Sequence, residues 1–169
     1  MRISTLAALL LSLTFLLTHV AEAQYMKIEG IKGESTTDGH KEWIDLLSVS
    51  QSITRTAAQT GQTRRRGGAT MSPVTVTKPI DSATPMLMRA AANGEVIPSV
   101  EIQFTSPGGR RALKYRLENV TVTSVTHQAD QNETREEVAF NYEKIRFEYP
   151  KPSGENVTFM YDIKSGKSN

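Results

Sequence analysis

A single helix stands out in a sequence that is otherwise written in strand pattern. It lies in the segment from Lys78 to Phe104, KPIDSATPMLMRAAANGEVIPSVEIQF. Asp81 or Ser82 can cap its start, and Asn93-Gly94 supplies the left-handed residues that commonly end a helix. Small apolar residues recur at helical spacing between these marks, at Ala83, Leu87, Ala90 and Ala91. We expect a short helix with such a face to cover a β-structure.

The first 23 residues have the pattern of a segment that is removed. Arg2 precedes an apolar run from Leu6 to Leu17, and a small-x-small cleavage signal ends at Ala21, Ala23 and Gln24. The alternative is a retained membrane anchor, but the run is shorter than the roughly 20 apolar residues that cross a bilayer. The sequence therefore predicts a secretory signal peptide over residues 1–23, no stable membrane anchor, and one domain over residues 24–169.

Composition narrows the class of protein. The chain has no cysteine, so an exported domain of this kind relies on packing or assembly instead of disulfides. Its formal net charge is +2, and removal of residues 1–23 takes away one Arg and one Glu and leaves that charge unchanged. Such a small net positive charge argues against nucleic acid as a partner.

A long polar segment, TAAQTGQTRRRGGAT, runs from Thr56 to Thr70 and contains no large apolar residue. Loops of that length in a compact domain are usually functional or disordered. Its sharpest feature is the run Arg64, Arg65 and Arg66. These side chains could bind anionic lipid, polysaccharide or nucleic acid, could contact an acidic rim on a neighbouring subunit, or could form a solvated loop tip.

The two longest strand patterns both change phase. Apolar residues from Ala112 to His127 shift parity after Leu117, and those from Glu136 to Tyr149 shift parity after Tyr142. If the polar link between them makes a hairpin, the two shifts lie nearly opposite each other. A bend in both strands at one level lets a ribbon pass between sheets or close into a barrel. The predicted fold is mainly β, an antiparallel two-sheet β-barrel or sandwich with one short flanking helix.

The sequence contains no credible group of catalytic or metal-binding residues. Downstream of residue 23 the only histidines are His40 and His127. Asp38, Glu42 and Asp45 lie near His40, but their spacing matches no strong ligand pattern, so we interpret His40 as a solvated turn residue. His127 ends a long strand and is interpreted as a surface residue. The sequence predicts no enzyme, no metal and no cofactor.

Four segments together resemble the Hcp family, the haemolysin-coregulated proteins that form the inner tube of type VI secretion systems. The first is KIEGIKGES at Lys27 to Ser35, followed by His40 and Trp43. The others are KPIDSATPMLMRAAANGEVIPSVEI, KYRLENVTVTSVTH and FNYEKIRFEY. They follow in the same order as in that family and extend over nearly the whole chain from Lys27 to Ile163.

The resemblance implies a two-sheet barrel with one short helix, six copies in a ring, and rings stacked into a tube. It also implies a spike protein at the end of the tube, small effector proteins in its lumen, and no catalytic residues. The segment from Thr56 to Thr70 would be the extended loop that reaches a neighbouring subunit or ring, which makes the Arg64 to Arg66 run an assembly contact.

The signal peptide departs from the family pattern, because members are delivered from the cytoplasm through the machine itself. Either the protein is exported and works as a periplasmic or extracellular ring or binding module, or translation begins at Met26. We favour export. A monomeric exported binding module is the rival to a ring-forming tube protein, and an enzyme is the third alternative.

Overall fold

The computed structural model describes residues 23–55, 69–106, 110–129 and 133–168. Strands dominate these residues, and one helix lies among them. In chain order the elements are β1 (Gln24–Ile28), β2 (Ile44–Leu46), β3 (Ser48–Ser50), β4 (Ile53–Arg55), β5 (Ala69–Met71), β6 (Val74–Pro79), α1 (Thr84–Asn93), β7 (Val96–Ser106), β8 (Arg110–Ala129), β9 (Thr134–Asn141), β10 (Lys144–Pro150), β11 (Asn156–Asp162) and β12 (Lys167–Ser168). The predicted fold class is confirmed.

The strands pair antiparallel and form two layers around one core. One layer has the order β12-β11-β10-β8-β7-β1-β2, and the other contains β3, β6 and β9. Strand β8 belongs to both layers, since its first half pairs with β7 and β10 and its second half pairs with β9. On the other side only Leu47 separates β2 from β3, so one bent segment pairs with both β1 and β6. The layers are thus joined at two corners.

The bend in β8 occurs at Asn119, whose φ is +51°. Asparagine tolerates this left-handed conformation better than most residues. Its Nδ2 donates a 2.8 Å hydrogen bond to Oε2 of Glu143, which lies between β9 and β10. The two parity shifts therefore do lie opposite each other, as the sequence predicts. The pattern from Glu136 to Tyr149 is nevertheless two strands, because the chain changes layer at this gap.

Strands β4 and β5 form a separate two-stranded ribbon that pairs with neither layer. The backbone bond from Ser72 N–H to Ser52 O, 3.0 Å long, continues the ribbon by one step. The predicted loop from Thr56 to Thr70 is shorter than expected at its end, because Ala69 and Thr70 belong to β5.

Helix α1 packs the predicted face against the barrel. Leu87 is fully buried and Ala90 is 1% exposed. The predicted capping by Asp81 or Ser82 is wrong, because the N-cap residue is Ala83 and no side chain caps the helix. Asp81 Oδ1 instead accepts the Ala83 N–H at 2.9 Å, before the helix begins. At the other end Gly94 has φ +62° and its N–H donates to Ala90 O, which is the left-handed ending that the sequence predicts.

The core lies between the two layers and under the helix. Its fully buried side chains come from both layers, among them Met26, Ile44, Val74, Val76, Val100, Ile102, Leu117, Val120, Val138, Phe140 and Ile145. In the part of the chain that the structure describes, no helix is long and apolar enough to cross a membrane.

Candidate assembly surfaces

Four aromatic rings cross one layer of the barrel in a row. They belong to Phe104, Tyr115, Phe147 and Phe159, and successive ring centroids lie 4.9, 4.7 and 5.8 Å apart. Each of the four rings lies on the same face of its strand as a buried core residue, because alternate side chains of a strand point the same way. The row therefore lies on the core-facing side of the layer. Burial raises the pKa of Tyr115 above its ordinary value. The core-facing side of this layer therefore extends beyond the residues of the enclosed core.

The outer end of this face is exposed, and we call Tyr149, Val157 and Phe159 the apolar corner. Tyr149 is 51% exposed, Val157 48% and Phe159 36%. Tyr149 and Val157 are register partners on β10 and β11. Contiguous apolar surface of this kind commonly marks an interaction site.

A second set of exposed apolar side chains surrounds the helix. Two lie on the helix itself, one precedes it and one follows it, and all are more than two-fifths exposed: Met86, Met88, Ile80 and Val96. The described surface of this domain thus carries exposed apolar side chains in these two places among others.

Two tyrosines attach the β4–β5 ribbon to the barrel. The Tyr161 hydroxyl donates a 3.0 Å hydrogen bond to Ala69 O, and the Tyr142 hydroxyl donates a 2.9 Å bond to Ser72 O. Burial is the main cause that raises the pKa of Tyr142, while its hydrogen bond with Gln51 lowers that pKa and the charge of Tyr115 raises it. The residues that directly follow the predicted arginine loop are therefore held in place.

The segment between β1 and β2 packs against the outer face of β1. His40 is only 8% exposed, its ring stacks on Tyr25 at 4.1 Å, and it meets Trp43 edge-on at 4.9 Å. His40 Nε2 lies 2.9 Å from Gln103 Oε1. The interpretation of His40 as a solvated turn residue is wrong, because aromatic contacts absent from the local sequence pattern bury its ring. Within the described ranges, no three His, Asp or Glu side chains cluster closely enough to hold a metal.

Residues 25–149 match the family model described as "Type VI secretion system effector, Hcp". The chain belongs to the Hcp family. It is 31% identical over 153 residues to the protein hcp1 of Pseudomonas aeruginosa, covering 87% of this chain and 94% of the relative.

Solved Hcp structures have the same fold. The Hcp1 crystal structure from Salmonella typhimurium has a TM-score of 0.77 and 27% identity, covering 88% of this chain and 99% of the other. A type VI secretion system effector from Yersinia pestis has a TM-score of 0.71 and 25% identity, covering 83% and 99%.

Hcp proteins are structural components of a secretion tube, in which hexameric rings stack on one another. This Hcp chain is accordingly a tube protein of the type VI secretion system and is not an enzyme. It is a secreted protein, as the sequence predicts.

Only some of the predicted site residues of this Hcp chain lie among the residues that the structure describes. Arg64, Arg65 and Arg66 lie outside the described residues, and so does Ala21. Gln24 begins β1 in register with Phe104 of β7 and Leu46 of β2. Ala23 O accepts hydrogen bonds from the N–H and the Oγ1 of buried Thr105, at 2.9 and 2.8 Å.

The sequence reasoning missed a buried charged group in this Hcp barrel, although a signal for it exists. Lys78 continues the inward alternation of the β6 valines, and Glu136 continues that of the apolar residues of β9. The two residues are register partners and are both inaccessible to solvent. His127, predicted on the surface, is 39% exposed in its side chain, and its Nε2 lies 3.1 Å from Glu136 Oε2.

Proposed function

We propose that this chain assembles head to tail into hexameric rings and that the apolar corner forms part of the contact between neighbouring subunits. The observation that carries the proposal is the continuation of the core face into exposed Tyr149, Val157 and Phe159. Burial of a large apolar side chain stabilises an association by roughly 1.5–3 kcal/mol.

A closed ring needs two different complementary patches on each subunit. The apolar corner supplies one of them. The exposed apolar residues around α1, which include Met86 and Met88, supply a candidate for the other. In this arrangement the corner of one subunit packs against the helix region of the next.

Two substitutions on neighbouring residues of β11 test the contact. Phe159 lies on the core-facing side of the strand, whereas Thr158 is exposed on the opposite side. We expect Phe159→Glu to convert rings to monomers in native mass measurements, while Thr158→Glu leaves rings intact. Circular dichroism of both variants checks that the fold is retained. Rings of unchanged mass in a folded Phe159→Glu variant would contradict the proposed contact.

We also propose that residues 1–23 are a signal peptide and that the subunit with Gln24 at its N-terminus works in the periplasm or outside the cell. The apolar run and the small residues before Gln24 support this route. Translation from Met26 is the alternative, and it would remove Tyr25, which is 9% exposed and stacks on His40. N-terminal sequencing of the protein recovered from each cell fraction distinguishes the two.

The proposed partners are a spike protein at the end of the tube and small effector proteins in its lumen. Family membership supports both kinds of partner. Co-purification of rings and of the Phe159→Glu monomer from the same host tests this, because a lumen exists only in the ring. Recovery of the same small proteins with the monomer would favour an exported binding module instead.

A further inference from the structure

Two arginines lie opposite each other on the outer face of the layer that runs from β12 to β2. Arg116 of β8 and Arg146 of β10 are register partners, and both side chains are exposed. Their chain neighbours Leu117 and Ile145 are fully buried in the core, so the arginines point away from it. Side chains directly opposite each other on neighbouring strands have Cβ atoms about 4.5–5.5 Å apart. The two guanidinium groups therefore share one small area of surface.

This pair is the exception among the charged register partners of the described strands. Like charges directly opposite each other destabilise a sheet. In the other such pairs the two side chains carry opposite charges: Lys27 and Glu101, Glu101 and Arg116, Lys114 and Glu148, Glu118 and Lys144, Lys144 and Asp162, Asp162 and Lys167, and Lys78 and Glu136. Among the residues that the structure describes, the strands thus depart from this charge pattern at one place.

The nearby carboxylates do not neutralise the two arginines. Glu101 is a register partner of Arg116, but its Oε1 lies 3.1 Å from Lys114 Nζ. Within the described part of the chain, Arg116 itself has no hydrogen bond or ion pair. Arg146 forms one long ion pair, with 3.9 Å between its Nη1 and Glu148 Oε1. Most N–H donors of the two guanidinium groups are therefore available to a ligand.

We propose that Arg116 and Arg146 together bind the carboxylate of an acidic side chain on a partner protein. A guanidinium group presents its N–H donors in a planar fork that matches the two oxygens of a carboxylate. Two forks side by side hold one carboxylate between them. Its negative charge offsets the repulsion between the two arginines.

The surroundings of the pair fit a single carboxylate better than a chain of phosphates. Glu101, Glu118 and Glu148 lie on the same outer face around the arginines, and they would repel a polyanion that extended across the strands. Arg116 also lines an open recess of about 240 Å³ beside β7, which a side chain of a partner can enter. A surface with alternating charges is complementary to a protein surface that alternates in the opposite sense.

The partner is a protein other than this chain, a choice that rests on the proposed ring. The proposed ring contacts use the apolar corner and the exposed residues around α1. The apolar corner continues the core-facing side of its layer, whereas the arginines lie on the outer face of the same layer. This face therefore stays open in the ring.

The probe is a fluorescein-labelled peptide, Gly-Ser-Glu-Glu-Ser-Gly, titrated with purified rings and followed by fluorescence anisotropy. We expect the double variant Arg116→Gln with Arg146→Gln to weaken binding about tenfold or more, because the charge-assisted contacts are lost. The charge-matched control is Lys151→Gln with Lys164→Gln, at exposed positions away from the pair, and it should weaken binding less than about threefold. Arg116→Lys with Arg146→Lys keeps both charges but not the forks, and its binding should lie between that of the wild type and that of the double glutamine variant.

Four results would overturn the proposal. The first is no binding of the peptide to the wild type, or equal binding of Gly-Ser-Gln-Gln-Ser-Gly. The second is an equal loss of binding in the arginine and lysine variants. The third is tighter binding of a thymidine hexanucleotide than of the glutamate peptide. The fourth is loss of rings, measured by native mass, in a folded double arginine variant, because the pair would then be a contact between copies.

The Phe159→Glu variant separates this site from the proposed ring contact. Its substitution lies on the core-facing side of β11 and leaves the outer face of β8 and β10 unchanged. We expect Phe159→Glu to bind the glutamate peptide as the wild type does, whether or not it forms rings. Loss of peptide binding in this folded variant would contradict a site made by the two arginines of one subunit.

Discussion

Lys78 Nζ lies 2.6 Å from Glu136 Oε1, and neither side chain is accessible to solvent. The same ammonium group contacts Asp81 Oδ1 at 2.7 Å and Pro79 O at 2.8 Å. Glu136 accepts a further bond from the Thr84 hydroxyl at 2.8 Å. This buried group ties β6 and β9 to the first turn of α1, at the point where the helix begins to cover the barrel.

We expect Lys78→Met to lower the free energy of unfolding by about 3–5 kcal/mol, because it leaves the Glu136 carboxylate buried without its cation. Denaturant unfolding at a fixed protein concentration measures the change. The matched control is Lys32→Met, which removes an ion pair with Glu42 between side chains that are 75% and 64% exposed. That exposed pair should contribute no more than about 1 kcal/mol. Equal effects of the two substitutions would show that the buried pair stabilises the folded chain no more than the exposed pair does.

Tyr142→Phe should loosen the β4–β5 ribbon, because it removes the hydroxyl that donates to Ser72 O. The expected loss at neutral pH is about 0.5–1.5 kcal/mol, and hydrogen exchange should rise first in the ribbon. Tyr149→Phe, at a residue 51% exposed, is the control and should change neither quantity.

The same tyrosine predicts a loss of stability at alkaline pH. Burial raises the pKa of Tyr142 in the folded chain above its ordinary value of 10.0. Its contribution is therefore fully present below pH 10.0 and is lost as the pH rises through the raised value. Unfolding measured across this range should depend less on pH in Tyr142→Phe than in the wild type. An identical alkaline dependence would contradict this assignment.

Gly33→Ala should disrupt the segment that buries His40. A Cβ at position 33 would lie 2.4 Å from Trp43 O and 2.7 Å from Ile44 Cα, and both are backbone atoms. We expect a loss of roughly 1–3 kcal/mol from this overpacking. Trp43 is the only tryptophan of the chain, so its fluorescence reports on this segment directly. Thr36→Ala, at an exposed position nearby, should leave the spectrum unchanged.

Reversal of the charges at Arg64, Arg65 and Arg66 to Glu should weaken association more than folding. An exposed ion pair contributes up to about 1 kcal/mol, so loss of three proposed pairs between subunits should weaken stacking by up to about a hundredfold. Native mass measured over a series of salt concentrations tests this, with Lys151, Lys164 and Lys167 changed to Glu as a charge-matched control. A mass distribution that stays the same at every salt concentration would rule out the contact.

The local features of the fold could be predicted from the sequence. Gly94 ends the helix, Leu87 and Ala90 face the core, and the parity shifts near Asn119 and Glu143 mark the bend between layers. Each depends on residues close together in the chain, where periodicity and backbone preference act directly. The division of residues 136–149 into two strands could not be predicted, because it depends on which half of β8 each part pairs with.

The candidate surfaces were less accessible to sequence reasoning. The arginine run is visible as a charge pattern, whereas the aromatic row joins side chains from β7, β8, β10 and β11 that are widely separated in sequence. Nothing in the alternation of β10 distinguishes buried Ile145 from exposed Tyr149. Only the extent of the opposite layer decides which of them is covered.

The sequence by itself determined the fold class, the family and the position of helix α1, since these are carried by local periodicity, turn residues and motif order. The tertiary structure alone decided that Lys78 meets Glu136, that His40 packs between Tyr25 and Trp43, and that Phe159 is exposed among the described residues. These facts depend on the register between strands and on which layer covers which residue. Register is a property of pairs of distant segments, and no short stretch of sequence contains it.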